Sequence, residues 1–108
     1  MANPRELALK ILYDIEKNGA YLNISFQNHT EHAGLDGRDA AFVKELSYGV
    51  LKQKLILDHV IKGFSSVKLK KLAPYVLCLL RMGIYQLYFM DKVPESAAVN
   101  ESVKLAGR

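Results

Sequence analysis

Cysteine is nearly missing from this chain of 108 residues; Cys78 is the single one. An intrachain disulfide is therefore excluded, and with no signal-peptide pattern at the start a reducing, cytoplasmic setting is expected. Cys78 lies in an apolar run, where a buried structural thiol is the default. Strand-type alternation is absent throughout, and no internal repeat is present. A glycine-rich phosphate loop, a nucleophile elbow and a Pro-Cys motif are all lacking, since Leu77 precedes Cys78. Three groups of catalytic mechanism thereby lose their usual sequence support. His29 and His32 share a helical spacing, but a metal site needs more ligands in a defined geometry, so solvated surface histidines are expected. His59 stands alone and reads as a partly buried polar residue.

Acidic residues are scarce in one region. Residues 1–50 hold five Lys/Arg and seven Asp/Glu, a net −2, whereas residues 51–108 hold ten and four, a net +6. Within 52–71 six lysines face one acid, Asp58. Such a basic excess suits an anionic partner, although many surfaces match it without one.

What is present is hydrophobic and helical in period. Half the chain is hydrophobic and 24% is charged, enough for one folded domain over residues 1–108. A first helix is expected from Pro4 to Lys17, capped by Asn3, with Leu7, Ala8, Ile11, Leu12 and Ile15 on one face. A polar second helix runs from Tyr21 to about His32, with Leu22 and Phe26 inward and Ile24 off that line. A third begins after Asp36 or Asp39 and presents Phe42, Val43, Leu46, Gly49 and Val50. A fourth follows with little or no loop, using Leu57, Val60, Ile61 and Phe64. The fifth, about Ala73 to Met90, is apolar all round and should be buried on several sides. Pro74, Arg81 and Gln86 interrupt it, so it reads as the centre of a bundle and not as a membrane span. A sixth helix is expected from Pro94. Gly49 and Gly83 stand mid-helix, which suggests that helices three and five cross near them.

Arg81 sits in the most apolar helix. An unpaired guanidinium there is costly, so a buried pair with Glu45 or Glu101 is expected; the other reading points Arg81 outward to a phosphate. The lysines carry the second signal. Lys52, Lys54, Lys62, Lys68, Lys70 and Lys71 lie near helix ends, where some of them converge if helices three and four turn back on each other. Such a patch holds a phosphate backbone in a salt-dependent way. No aromatic residue is visibly interleaved with it, so single-strand readout finds no support at this level.

Two segments together resemble a known family. RDAAFVKELSYGVLKQKLILDHVI (38–61) and LLRMGIYQLYFMDKVPESAAVNESVKLA (79–106) resemble the paired signatures of NusB-like domains, and PRELALKILYDIE (4–16) fits their opening helix. The resemblance implies an all-α, NusB-like bundle of about six helices. One branch of the family is the free transcription antitermination factor. The other is the N-terminal domain of RsmB/Sun (Fmu) type methyltransferases, which modify C5 of cytosine in small-subunit rRNA. The run Met82-Gly83-Ile84-Tyr85-Gln86-Leu87 and the Val93-Pro94 segment are closer to the second branch, with Ser96 and Ser102 as departures. The opening helix has only Arg5, not the arginine-rich start of the antitermination branch.

The resemblance implies an RNA-binding domain whose partners are rRNA and a catalytic methyltransferase domain of the same parent protein, with no membrane partner. Candidate RNA-binding residues are Arg5, Arg38, Lys52, Lys54, Lys68, Lys70 and Lys71. No catalytic residue, metal or cofactor is expected in this chain; S-adenosylmethionine belongs to the catalytic domain, which is expected beyond Arg108. The alternatives are a stand-alone antitermination protein and a structural domain that packs on the catalytic one.

Overall fold

The computed structural model describes residues 3–90. Over that span the chain forms five α-helices and one 3-10 turn: α1 (Pro4–Asn18), α2 (Leu22–Thr30), α3 (Gly37–Lys52), α4 (Lys54–Phe64), the 3-10 turn Leu69–Lys71, and α5 (Pro74–Phe89). No strand occurs among the described residues. The expected sixth helix from Pro94 lies outside them.

Local chemistry sets the helix limits. Asn3 caps α1 by accepting from the backbone N–H of Arg5 at 2.9 Å and of Glu6 at 3.3 Å, and Pro4 occupies the first turn without losing a needed donor. Gly19 ends α1 at φ +70°, a left-handed conformation that glycine adopts without a Cβ penalty. Of the two acids offered as the cap of α3, Asp36 is the one used; it accepts from the Asp39 N–H at 2.7 Å. A single residue, Gln53, separates α3 from α4, so the chain changes direction there with no loop.

Helix α1 packs against α2, α3 and α5, and α5 packs against α1, α3 and α4. Helix α3 packs against α1, α2, α4 and α5, so α1, α3 and α5 together form the middle of the bundle, whereas sequence alone put α5 there by itself. The buried side chains of α1 and α5 (Leu7, Ala8, Ile11 and Leu12 with Leu77, Cys78 and Met82) meet Val43, Leu46 and Val50 of α3 and Leu57 and Ile61 of α4 in one core. Burying a large aliphatic side chain contributes about 1.5–3 kcal/mol, so this shared core dominates the fold. Helix α2 is too polar to dock on apolar contact alone. It is clamped by Ser25, which is fully buried and donates to Asp14 Oδ2 at 2.9 Å. Asn18 donates to the other oxygen of the same carboxylate at 3.0 Å.

Three placements differ from the sequence expectation. Phe64 shares the spacing of Leu57 and Ile61 yet is 62% exposed. It lies on the terminal turn of α4, and among the described residues the next element is a three-residue 3-10 turn. His59 is exposed on the outer side of α4. The apolar wrap of α5 is also incomplete in burial, since Val76, Leu87, Tyr88 and Phe89 are exposed. Helices α3 and α5 do pack together, and the atoms nearest a Cβ built at Gly49 all belong to the Tyr85 ring.

Candidate nucleic-acid interface

Arg81 is settled by its neighbours. It is 5% exposed, and its Nε and Nη2 donate to the two carboxylate oxygens of Asp58 at 2.8 and 3.0 Å. Its Nη1 donates to Glu16 Oε1 at 2.6 Å. Burial alone would lower the guanidinium pKa, but the bonds to Asp58 and then Glu16 outweigh it and hold the group above its ordinary value. The buried pair is therefore present, with Asp58 and Glu16 as partners and not Glu45; Glu101 lies outside the described residues. Sequence reasoning inferred a pair from the apolar context but could not identify its partners. The true ones follow from α1 and α4 both crossing α5 beside Arg81, which needs the three-dimensional arrangement. Asp58 is thus spent inside the bundle and does not neutralise the lysines around it in sequence.

The candidate RNA-binding residues fall into separate places. Arg5 is turned inward: its Nε donates to the buried Gln86 Oε1 at 2.7 Å and its guanidinium lies 5.0 Å from the centre of the Phe42 ring. That cation–π contact and hydrogen bond tie α1 to α3 and α5. Arg38 is exposed in the first turn of α3. Lys52 ends the same helix, about 20 Å away at 1.5 Å per residue, so these two charges do not share a patch.

The lysines form two groups. Lys52 and Lys54 flank Gln53 at the α3–α4 joint, and Lys54 Nζ is 3.9 Å from Glu16 Oε1. About 12 Å further along α4, Lys62, Lys68 and Lys70 line one open depression of about 470 Å³. Ser65, Ser66, Val67 and Leu69 complete its wall, and no acid lines it. Lys71 is exposed at the end of the 3-10 turn beside it. The depression is built locally. Ser65 Oγ accepts from the Val67 N–H at 3.1 Å and donates to the Val67 carbonyl at 2.8 Å, which folds the chain back after α4. Between Asp58 and Asp91 the chain has no acidic residue at all.

Sequence reasoning counted Lys62 among the patch lysines but left it out of the candidate residues, and it placed Phe64 on the inward face. The signal for Lys62 was available in the run Lys62 to Lys71; that for Phe64 was not, because its spacing continues the inward face. A small cavity of about 80 Å³ is lined by Leu12, Ile15, Glu16, Val50, Leu51, Lys54, Cys78 and Arg81. It surrounds the ion pair of Arg81 and is structural. Burial pushes the Cys78 thiol up to about 11, against the opposing pull of Arg81. No group of three or more His, Cys, Asp or Glu side chains suited to a metal occurs among the described residues. No described helix is long and apolar enough to cross a membrane.

An all-α bundle with a pinned interior and a basic corner between α4 and α5 is the class of domain these features define. Residues 2–108 match the NusB family, and the chain belongs to that family. It is 35% identical over 102 residues to a Bacillus subtilis protein named probable ribosomal RNA small subunit methyltransferase B, covering 94% of this chain and 23% of that protein. A Synechocystis protein of the same name is 35% identical over 106 residues, covering 98% of this chain and 24% of that one. The transcription antitermination protein NusB of Ruminiclostridium cellulolyticum is 33% identical over 103 residues, covering 94% of this chain and 71% of that protein. The chain thus spans about a quarter of the length of the two methyltransferases it matches.

Proposed function

We propose that this chain is the RNA-binding domain of a small-subunit rRNA methyltransferase. It holds rRNA on the basic side formed by α4 and the segment leading to α5, and so presents the RNA to a catalytic domain. The observation that carries this reading is the similarity along nearly the whole chain to about a quarter of two proteins named for that activity. The wording of residues 79–106 supports the same branch and implies cytosine C5 as the target. The chain's own part in the reaction is positional. Lys52, Lys62, Lys68, Lys70 and Lys71 supply cations for phosphates, while Arg81 and Arg5 serve the fold. S-adenosylmethionine is assigned to the catalytic domain.

The test is RNA binding by this chain across a salt series. A short 16S rRNA fragment should bind with an affinity that falls linearly in log–log coordinates as salt rises. Changing Lys52, Lys62, Lys68, Lys70 and Lys71 to Glu should remove that affinity while leaving the melting temperature near the parent value. Unchanged binding would favour a domain that only packs against its catalytic neighbour.

A second reading is a stand-alone antitermination protein, favoured by the 71% coverage of the NusB relative. The reading frame separates the two. Continuation past Arg108 into a methyltransferase domain selects the first, and a stop codon shortly after it selects the second.

A further inference from the structure

The ion pair of Arg81 does not use all of its donors. A guanidinium carries five N–H groups, and Asp58 and Glu16 take three of them at 2.8, 3.0 and 2.6 Å. The other two belong to a buried side chain, where a donor left unmet is costly. The cavity of about 80 Å³ beside this pair has three charged residues in its wall, Glu16, Lys54 and Arg81. Lys54 Nζ stands 3.9 Å from Glu16 Oε1, beyond the reach of about 2.7–3.2 Å of a direct N–H···O bond. A polar separation of that length is one that a water molecule spans. Of the two lysines at the α3–α4 joint, Lys52 is exposed and Lys54 is half-buried.

We infer that this cavity is a hydration site, in which ordered water bridges Lys54 to Glu16 and accepts from the remaining N–H groups of Arg81. A water molecule needs about 10–15 Å³ of cavity volume and two to four polar partners, and it takes about 30 Å³ in the liquid. The cavity therefore has room for about two or three molecules, and its wall supplies the partners. Cavities that stay dry are apolar on every side, which this one is not. An ion is a poorer occupant, because Asp58 and Glu16 already balance the charges of Arg81 and Lys54 and leave no net charge to attract one. The bridge ties the first turn of α4 to the last turn of α1. It also separates the two lysines at the joint: Lys52 stays in solvent, and Lys54 is held toward the core.

The experiment is a crystal structure of the whole chain at a resolution that shows ordered water, collected with and without xenon pressure, together with water–methyl cross-relaxation in solution. Discrete water density should fill the cavity, within about 2.7–3.2 Å of at least two of Glu16, Lys54 and Arg81. Xenon, which enters dry apolar cavities, should stay out. In solution the methyl groups of Leu12, Val50 and Leu51 should show cross-peaks to long-lived water, and those of Leu46 and Ile61, fully buried elsewhere in the core, should show none. Lys54→Met keeps a long side chain but removes the donor; it should lose the bridging water and keep the water on Arg81. Xenon in the cavity, or lining methyl groups without water cross-peaks, would show a dry void and overturn the site. A halide or sulfate in place of water would overturn it as well. A bridging water that survives in Lys54→Met would overturn the bridge. The parent chain alone decides whether the cavity is hydrated, so that result does not depend on the variant.

Discussion

Gly49 of α3 faces the phenol ring of Tyr85 of α5 so closely that a Cβ on Gly49 would lie inside that ring's contact envelope, 2.7 Å from Cε1 and nearer still to the hydroxyl end. Tyr85 is buried and stacks on Phe89 with ring centres 5.2 Å apart, so it has little room to withdraw. The helix-weakening glycine is thus the seat of a neighbour's ring.

Gly49→Ala should therefore destabilise the fold. Alanine gains about 1 kcal/mol in helix propensity, but overpacking costs about 1–3 kcal/mol, and an overlap this deep belongs at the upper end. A net loss of about 1–2 kcal/mol is expected in urea denaturation. Pairing Gly49→Ala with Tyr85→Leu should cost less than the two single changes added together, because the second substitution vacates the space the first one needs. Strict additivity would show that the ring is not the obstacle.

Arg81→Ala should cost about 3–5 kcal/mol, the usual penalty for breaking a buried ion pair from one side. It leaves Asp58 and Glu16 facing each other with their shared cation gone. Arg81→Ala/Asp58→Ala should recover part of that loss, since one stranded charge disappears. The check is a thermal or urea melt of both variants; a surface arginine would give a change below about 1 kcal/mol.

Acid should loosen the α1–α2 clamp. Hydrogen bonds from Asn18 and then Ser25 hold the Asp14 carboxyl below its ordinary value of 3.8, with burial opposing and His29 assisting. A depressed carboxyl stabilises the fold above its unfolded value, and that contribution is lost as pH falls through the lower folded value. The melting temperature of the parent should exceed that of Asp14→Asn at pH 6, and the gap should close below about pH 4.

The Cys78 thiol should resist labelling. It is 1% exposed, and burial raises its pKa from 9.0 to about 11. At pH 8 in native buffer, thiol reagents should react only as fast as the domain opens, and at once in urea. A folded pKa above the unfolded one also means that stability declines as pH rises between 9 and about 11. Cys78→Ala should be flatter across that window.

Much of the bundle was legible because its helices carry regular apolar spacing and standard caps. Asn3 with Pro4 fixed one start, Asn18-Gly19 one end, and most core positions of α1 and α3 follow from period, although Leu9 is buried off the expected face. What the sequence hid depends on long-range meetings. Ser25 looked like one more polar residue of a weak helix, until Asp14 of α1 proved to be its partner. Gln86 looked like an interruption, yet it is fully buried, accepts from Arg5 and donates to the Met82 carbonyl at 3.0 Å. Phe64 failed for the opposite reason: its spacing continues the inward face, yet the ring at the end of α4 is left exposed.

The fork of Arg81 joins residues 65 and 23 positions away in the chain. It draws on α1, α4 and α5 at once, so it cannot form until all three are in place. A fragment that keeps Arg81 but lacks Glu16 or Asp58 would have to bury the guanidinium with fewer partners, or leave the core open around it. The buried guanidinium therefore binds the start, middle and end of the described chain into one unit, while the basic corner after α4 is shaped by its own Ser65 turn.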